Sequence, residues 1–267
     1  MITSTSNPKV KQLQLWQNKS KERKKDGVYI VEGIKMFLEA PADMIKEVYI
    51  SQEILQNVQK ESESNIFLKE KIQLIEFETI TDDIFKKVSD TQTPQGILTV
   101  MKRPKYTLDD ITASENPLVV VLENLQDPGN LGTILRTGEG AGISGVIMSE
   151  GTVDIYNPKT IRATMGSIYR VPFIYTSDLG ETLQELKKKG IRTYAAHLKG
   201  ETYYDSLSFK EPTAFLIGNE GNGLTDKTAS LADSYIKIPM EGQVESLNAA
   251  VATSLLIYET HRQRSQK

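Results

Sequence analysis

Residues 211–260 read EPTAFLIGNEGNGLTDKTASLADSYIKIPMEGQVESLNAAVATSLLIYET, in which short apolar runs alternate with polar, glycine-containing segments. Ala214–Ile217 ends at Gly218 and Tyr235–Ile238 ends at a proline, so each run predicts a strand followed by a loop. A helical pattern begins after Ser246, which can cap it. The residues that would share one face of that helix are Leu247, Ala250, Val251, Ser254, Leu255 and Tyr258. In a parallel sheet, ligands bind at loops that leave the carboxyl ends of strands, but this pattern also fits the end of any α/β domain.

The preceding residues extend the same alternation of strand and helix. Leu118–Leu122 is a continuous apolar run typical of a buried parallel strand, and a polar loop follows it. A helix then carries Arg136. Residues 140–145 spell G-x-G-x-x-G, but they close a helix and precede a strand, which is the reverse of a dinucleotide fingerprint. We therefore expect a helix end and a tight turn there.

The composition excludes several classes of protein. The 267 residues include no cysteine, which excludes disulfides, thiolate metal sites and cysteine nucleophiles and agrees with a cytoplasmic protein. The two histidines, His197 and His261, have no partner at ligand spacing, so no metal site is expected. No apolar run approaches about 20 residues, so no membrane span is expected.

The first hundred residues predict a smaller α/β sandwich. Pro8 begins a helix that runs to Asp26, and strands and helices alternate from there to Met101. Within this part, Gln52–Glu61 is predicted to be a helix and Ile66–Leu68 a strand. Residues 102–117 contain two prolines and little periodicity, which is typical of a linker. The predicted organisation is a domain at 1–101, a linker at 102–117 and a second domain at 118–267.

Charge is unevenly distributed along the chain. Residues 1–26 carry seven basic and two acidic side chains, whereas residues 117–267 carry 15 basic and 17 acidic ones. A basic first helix can hold a polyanion even in a mildly acidic protein, although lysines also commonly line a solvated helix face.

Three motifs resemble those of a known enzyme family. DPGNLGTILR at 127–136, FLIGNEGNGL at 215–224 and IPMEGQVESLNAAVA at 238–252 are similar to the SpoU (TrmH-type) RNA ribose 2′-O-methyltransferases of the SPOUT class. The resemblance covers about residues 117–262. YIVEG at 29–33 more weakly resembles the ribosomal-protein-L30e-like substrate-binding domain that often precedes that catalytic domain. Asp127 departs from the asparagine common in the family, and Ala249 and Ala250 stand where valine and serine are common.

The resemblance implies the fold, the cofactor and the site residues. It implies an N-terminal L30e-like sandwich and a C-terminal parallel α/β domain with a deep trefoil knot that binds S-adenosyl-L-methionine. The cofactor residues would be Ala196, Leu198, Gly218, Ile238, Met240 and Leu247. The catalytic residues would be Asn130, Arg136, Glu220, Ser246 and Asn248. Arginine is always protonated, so we assign Arg136 to gripping phosphate and polarising the hydroxyl rather than to removing a proton.

The resemblance and the charge pattern together predict the partners. The residues expected to contact RNA are Lys9, Lys19, Lys21, Arg23, Lys24, Lys25, Glu32 and Arg162. The L30e-like extension favours ribosomal RNA, the 23S molecule in particular, over transfer RNA, and the family implies a homodimer. Two further readings stay open at this point, a base methyltransferase of the same knotted class and a non-catalytic RNA-binding module.

Overall fold

A computed structural model describes residues 1–59 and 66–265. Its first elements are α1 (Pro8–Asn18), α2 (Ser20–Asp26), β1 (Val28–Glu32), α3 (Ile34–Glu39), β2 (Ile45–Ser51), α4 (Gln52–Gln59), α5 (Ile66–Gln73), β3 (Glu78–Ile80), α6 (Asp82–Val88) and β4 (Ile97–Lys102). The later elements are α7 (Leu108–Thr112), β5 (Leu118–Leu122), α8 (Pro128–Ala141), β6 (Gly145–Ser149), α9 (Pro158–Thr164), β7 (Phe173–Thr176), α10 (Leu179–Lys188), β8 (Arg192–Ala196), β9 (Thr202–Tyr203), β10 (Thr213–Ile217), α11 (Asp226–Ser230), β11 (Ser234–Lys237) and α12 (Ala249–Ser265).

The chain divides into two compact units, and the division differs from the predicted domains in one respect. The first unit comprises Met1–Lys105 together with Tyr156–Tyr169, and the second comprises Tyr106–Ile155 together with Arg170–Lys267. The segment that carries α9 therefore belongs to the first unit although it lies inside the predicted second domain. The predicted linker contains α7, whose Ile111 is fully buried, so it is more than a bare connection.

Within the described residues, the first unit is built on a sheet of four strands in the order β1-β4-β2-β3. β4 is antiparallel to both of its neighbours, and β2 is parallel to β3. One apolar cluster joins this sheet to α1 and α6 through Leu13, Trp16 and Phe85, and another contains Phe37 of α3 and Leu68 of α5. The unit is an α/β sandwich, as the sequence predicts.

Two helices of the first unit differ from the prediction. The helix expected from Pro8 to Asp26 breaks at Lys19, whose backbone is extended, and becomes α1 and α2. Residues 66–68, predicted as a strand, begin the helix α5. A short apolar run is compatible with both a strand and a helix. Here Leu68 and Ile72, four residues apart, are buried on the same face of a helix. The helix predicted at Gln52–Glu61 is present to Gln59, and its last two residues lie outside the described residues.

Within the described residues, the second unit contains a sheet of seven strands in the order β7-β6-β5-β10-β8-β11-β9. Every pair of neighbours in it is parallel. The chain leaves β8 for β9 at the sheet edge and then returns to insert β10 between β5 and β8. The end of α12 packs over this return path, because the Gln263 side chain donates to Leu207 O and the Arg264 guanidinium donates to Phe209 O.

Helix α8 begins and ends where the sequence indicates. The Asp127 carboxylate accepts from Asn130 N, and a proline occupies the first helical position. Gly142 has the left-handed φ of 76° that ends the helix, so the glycines at 140–145 form a helix end and a turn, as expected.

The start of α12 differs from the prediction. Asn248, rather than Ser246, caps the helix, because its Oδ1 accepts from Ala250 N and Val251 N. Ser246 and Leu247 lie before the first turn. An asparagine oxygen serves a helix N-terminus as well as a serine oxygen does, so residue preference alone does not choose between them.

Candidate active site

Four loops meet at the carboxyl edge of the larger sheet. They follow β5, β10, β8 and β11, which are neighbours in that order, and they comprise residues 123–127, 218–225, 197–201 and 238–248. Because the strands are parallel, these loops all leave the same edge of the sheet. The order of the strands brings together segments that are up to about 120 residues apart in sequence.

A cavity of about 570 Å³ lies among three of these loops. All six predicted cofactor residues line it, namely Ala196, Leu198, Gly218, Ile238, Met240 and Leu247. Its volume is in the range typical of sites for small molecules and cofactors. His197, Lys199 and Tyr203 also line it, and the sequence analysis missed them because a polar loop after a strand does not reveal which side chains face a cavity.

Gly218 is required by the loop that follows β10. A Cβ added at this position would lie 2.0 Å from the carbonyl carbon of Gly223, so any larger residue would force the loop apart. Asn219 and Gly223 exchange backbone hydrogen bonds, and Asn219 Oδ1 accepts from two further amides of the loop. The result is a compact turn of backbone amides beside the apolar side chains of Ile238 and Leu247. Such a surface fits an adenine ring and a thioether, as S-adenosylmethionine would present.

Glu220 ties this loop to the start of α8. Its carboxylate accepts from Gln126 N at 3.0 Å, from Asp127 N at 2.9 Å and from Asn130 Nδ2 at 3.0 Å. Burial opposes ionisation of the Glu220 carboxyl, but the hydrogen bonds from Gln126, Asn130 and Asp127 outweigh it, so its pKa lies below its ordinary value. Glu220 is therefore an ionised acceptor at neutral pH.

A second hydrogen bond extends this network to α12. Asn248 Nδ2 donates to Asn130 Oδ1 at 2.9 Å. Three of the five predicted catalytic residues thus form a chain, Glu220–Asn130–Asn248, in which each side-chain amide has a defined orientation. Ser246 is exposed and lines the cavity.

Arg136 lies apart from this chain of hydrogen bonds. It is on the exposed side of α8, six residues beyond Asn130, and its side chain has no ion pair or hydrogen bond with any residue that the structure describes. Thr133, Arg136 and Gly140 are spaced so that they share one face of α8. A Cβ on Gly140 would contact the Tyr258 hydroxyl of α12, so this face of α8 adjoins the outer face of α12.

The residues predicted to contact RNA divide into two groups. Lys19, Lys21, Lys24 and Lys25 are exposed. Arg23 differs from these lysines, because it is 5% exposed and its guanidinium donates to Trp16 O at 2.7 Å and to Gln17 O at 3.0 Å, which holds the end of α1. An arginine in this position stabilises the helix pair, and its charge is less accessible to phosphate than the charges of the neighbouring lysines.

The remaining predicted RNA contacts are engaged within the first unit. Lys9 is paired with Glu78, and Arg162 is paired with Asp90. The Glu32 carboxylate accepts from Ser89 Oγ at 2.7 Å, from Asp90 N at 3.2 Å and from Thr91 Oγ1 at 2.6 Å. Glu32 therefore holds the turn after α6, a role that the sequence motif did not reveal.

The comparisons with known proteins agree with this arrangement. A model of the SpoU rRNA methylase family matches residues 117–258, and a model of the MRM3-like substrate binding domain matches residues 7–99. A 23S rRNA (guanosine(2553)-2′-O)-methyltransferase, RlmP of Bacillus subtilis, is 35% identical over 96% of this chain and 97% of its own length. An uncharacterized tRNA/rRNA methyltransferase of Synechocystis is 33% identical over 98% of this chain and 94% of its own length.

Solved structures with the same fold include complexes with the cofactor. The SpoU methyltransferase AviRb from Streptomyces viridochromogenes, in complex with AdoMet, superposes with a TM-score of 0.85 at 26% identity, covering 97% of this chain and 99% of that one. An AdoMet-bound rRNA methyltransferase from Sinorhizobium meliloti gives a TM-score of 0.83 at 29% identity, covering 98% and 97% of the two chains.

The fold and the site define an RNA methyltransferase of the SPOUT class, with a parallel α/β domain and S-adenosylmethionine as the cofactor. The chain belongs to the SpoU rRNA methylase family. Its N-terminal residues form the separate substrate-binding domain that the sequence predicts. No helix in the described ranges is long and apolar enough to cross a bilayer.

Proposed function

We propose that this chain methylates a ribose 2′-hydroxyl in ribosomal RNA. The observation that carries the proposal is the chain of hydrogen bonds Glu220–Asn130–Asn248, which begins at a residue of the cavity wall. A fixed set of amide and carboxylate groups beside a cofactor site suits the positioning of a sugar hydroxyl. The substrate is supported by the similarity to a relative whose name specifies 23S rRNA and 2′-O-methylation.

The cavity wall accounts for cofactor binding. Ile238, Met240 and Leu247 would pack against the adenine and thioether, and Gly218 lets the backbone approach the ligand closely. When bound, S-adenosylmethionine supplies a methyl group on a positively charged sulfur, which a hydroxyl oxygen can displace without a covalent enzyme intermediate. The protein then has to align the nucleophile and help a weakly acidic hydroxyl lose its proton.

Asn130 is the residue best placed to orient the ribose. Because its Nδ2 donates to ionised Glu220, its Oδ1 is left to accept from Asn248. This arrangement fixes which end of the amide faces each neighbour, so the group is oriented before RNA arrives. Ser246, at the exposed edge of the cavity, would hold the active-site loop and the end of the cofactor.

Arg136 would grip the phosphate next to the target ribose and polarise its hydroxyl. A guanidinium forms two parallel hydrogen bonds with phosphate and keeps its charge at all working pH values. Because Arg136 is exposed and lies apart from Asn130, it would reach RNA most readily in a second active site, across a homodimer.

The outer face of α12 supports such a dimer. Val251, Leu255 and Tyr258 are 48%, 38% and 46% exposed, and with Thr133 they line a shallow cavity of about 490 Å³.

Mapping the methylated nucleotide tests the proposal. Ribosomal and transfer RNA from a strain that lacks the gene would be incubated with the purified protein, digested with nucleases and analysed by mass spectrometry. We expect a methyl group on a ribose of 23S rRNA. A methyl on a base would indicate a base methyltransferase. A ribose methyl on transfer RNA would make transfer RNA the substrate instead of ribosomal RNA. The absence of cofactor binding by calorimetry would favour a non-catalytic RNA-binding module. A cytoplasmic location, where these RNAs are found, is part of the proposal.

A further inference from the structure

A buried acid that the proposed reaction does not use follows β5. Glu123 is 6% exposed. Its carboxylate accepts from Thr225 N at 2.7 Å and from Thr225 Oγ1 at 2.8 Å, and it also accepts from the hydroxyl of Thr228. A carboxylate is costly to bury unless it is well hydrogen-bonded, so this position commits three donors to one side chain.

The backbone of Glu123 holds the same loop from its other end. Glu123 N donates to Ile217 O at 2.9 Å, and Ile217 directly precedes Gly218. Thr225 directly follows Leu224. Glu123 therefore forms hydrogen bonds at both ends of the loop 218–224, an arrangement that we call the clasp. Every residue of that loop lines the cofactor cavity.

We propose that Glu123 is a positioning residue for the cofactor, which closes the loop 218–224 in the shape that binds S-adenosylmethionine. The proposal rests on the proposed function only in taking the cavity as the cofactor site. Without the carboxylate, the Thr225 end of the loop is released, while the Ile217 end stays in the sheet. A loop that must be ordered on binding lowers affinity, since the ordering entropy is subtracted from the binding free energy.

The effect is expected on cofactor affinity more than on turnover. Glu220 belongs to the clasped loop, but its own hydrogen bonds to Gln126, Asp127 and Asn130 do not involve Glu123. The catalytic chain should therefore stay assembled once the cofactor is bound. A residue that only stabilised the fold would instead lower the melting temperature and leave the dissociation constant unchanged.

Two variants remove the clasp from its two sides. Glu123→Gln keeps the size of the side chain but replaces one carboxylate oxygen with an NH₂ group, which then faces either Thr225 N or the two threonine hydroxyls. Thr225→Val is isosteric and removes both the donor to Glu123 and the cap that Thr225 Oγ1 provides to α11, whereas Thr225→Ser keeps both and is the matched control. Asp233→Asn controls for the loss of a similar carboxylate, because Asp233 accepts from Thr193 N at 2.8 Å and from Thr193 Oγ1 at 2.7 Å outside the cavity wall.

The measurements are the dissociation constant of S-adenosylmethionine by calorimetry and amide hydrogen exchange of the cofactor-free protein. We expect Glu123→Gln to weaken binding about tenfold and Thr225→Val about threefold. Both variants should speed exchange in residues 218–225, and turnover at saturating cofactor should stay within about threefold of the unmodified protein. Thr225→Ser and Asp233→Asn should stay within about twofold in binding, and Thr225→Val should add little in the Glu123→Gln background.

Unchanged affinity in Glu123→Gln, or an equal loss in Asp233→Asn, would overturn the proposal. If Glu123→Gln does not fold, Thr225→Val against Thr225→Ser decides the question. If the unmodified protein binds no cofactor, the proposed function fails, whereas the exchange comparison still decides whether Glu123 holds the loop. A methyl group found on a base would change the proposed reaction and leave this assignment intact.

Discussion

Arg136 is expected to contribute to methyl transfer without contacting the cofactor. It lies outside the cavity wall and apart from the chain Glu220–Asn130–Asn248. Arg136→Ala should reduce methyl transfer by about 100-fold or more, because it removes the group assigned to phosphate and hydroxyl. Cofactor affinity should stay within a few-fold. Arg136→Lys should fail as well, because a point charge does not replace a bidentate fork. Near-normal turnover in Arg136→Ala, measured under saturating cofactor, would remove Arg136 from the mechanism.

Glu220 gives the site a defined response to acid. Burial opposes its ionisation, but hydrogen bonds from Gln126, Asn130 and Asp127 bring its pKa below the ordinary carboxyl value. A pKa that is lower in the folded state adds stability that is full above the ordinary value of about 4.3 and is lost as the pH falls through the lowered one. Glu220 is exposed and solvent screens these interactions, so Glu220→Gln should lower the free energy of unfolding by only about 0.5 kcal/mol at pH 7.

Urea unfolding between pH 3 and pH 7 measures this difference. The gap between the unmodified protein and Glu220→Gln should be constant from pH 7 to about pH 5 and should shrink below about pH 4. A gap that is independent of pH throughout would mean that Glu220 is not held as a carboxylate by these donors.

At the scale of elements, Asn248 joins the start of α12 to the active site, and its two roles can be separated. Its Oδ1 caps the helix, and its Nδ2 donates to Asn130. Asn248→Asp keeps the cap, since aspartate caps a helix as well as asparagine does, but it cannot donate to Asn130. We expect thermal stability within about 0.5 kcal/mol of the unmodified protein and a fall of about tenfold or more in turnover.

Asn248→Ala is the matched variant, because it removes both the cap and the donor. It should cost about 1 kcal/mol of stability in addition to the loss of turnover. If Asn248→Asp turns over normally while Asn248→Ala does not, the residue serves the helix and not the reaction.

The elements of the second unit could be predicted from the sequence because local and global signals agree there. Leu118–Leu122 is apolar at every position, as a strand covered on both faces must be, and it is the strand β5. Gly218 occupies a position with no room for a side chain, and Gly142 has a positive φ that other residues rarely adopt. The strand predicted at Ile66–Leu68 was wrong because three apolar residues fit the periodicity of a strand and of a helix equally well. The residues that pack against this segment and decide between the two come from α3 and the strands.

The site was harder to predict than the fold. The six predicted cofactor residues lie at or after the ends of strands, so the sequence could place them at one edge. Glu123 and Asn219 were missed because Glu123 accepts from Thr225 and Thr228 and Asn219 Nδ2 donates to Asn124 O, across about 95 to 105 residues of sequence. Arg23 was assigned to RNA because it stands in a run of lysines. Its burial depends on the break between α1 and α2, which local propensity does not reveal.

At the scale of the whole molecule, the outer face of α12 predicts a homodimer. Its core-facing residues include Leu256 and Ile257, which are fully buried, while Leu255 and Tyr258 remain open. An apolar face of this kind on a well-packed helix calls for a second burial surface. Light scattering at micromolar concentration should give a dimer. Leu255→Asp should give a monomer with weak activity, because Arg136 would no longer meet a second site.

Leu74→Asp is the matched control for the dimer. Leu74 is 84% exposed and lies in the first unit, so a charge there should leave the dimer and the activity unchanged. A monomeric unmodified protein with full activity would contradict the assignment of the α12 face.

Deleting residues 1–105 would not test RNA binding cleanly. The ring of Tyr156 packs against that of Tyr29 at a tilt of 33° with centroids 4.6 Å apart, and Tyr169 Oη donates to Met36 O at 3.0 Å. The deletion would leave this segment of the first unit without its partners, and exposed apolar surface promotes association. Point variants on the surface of the first unit are the better test.

The lysines of α2 are the best candidates for that test. Lys21, Lys24 and Lys25 are exposed, whereas Arg23 between them is buried and should be left in place. Changing the three lysines to glutamate should weaken RNA binding and flatten its dependence on salt, by about 2 to 3 units of slope if each contacts a phosphate. Cofactor affinity should be unchanged, because the cavity lies in the second unit.

The matched control reverses three exposed lysines of the second unit, Lys188, Lys210 and Lys227, and so makes the same change in net charge. If RNA is gathered by α2, the control should alter the affinity slightly and leave the salt slope close to that of the unmodified protein, since few counterions are released there. Equal losses in the two triple variants would mean that net charge, rather than this helix, governs RNA binding. An unchanged slope in the α2 variant would assign RNA contact to another surface.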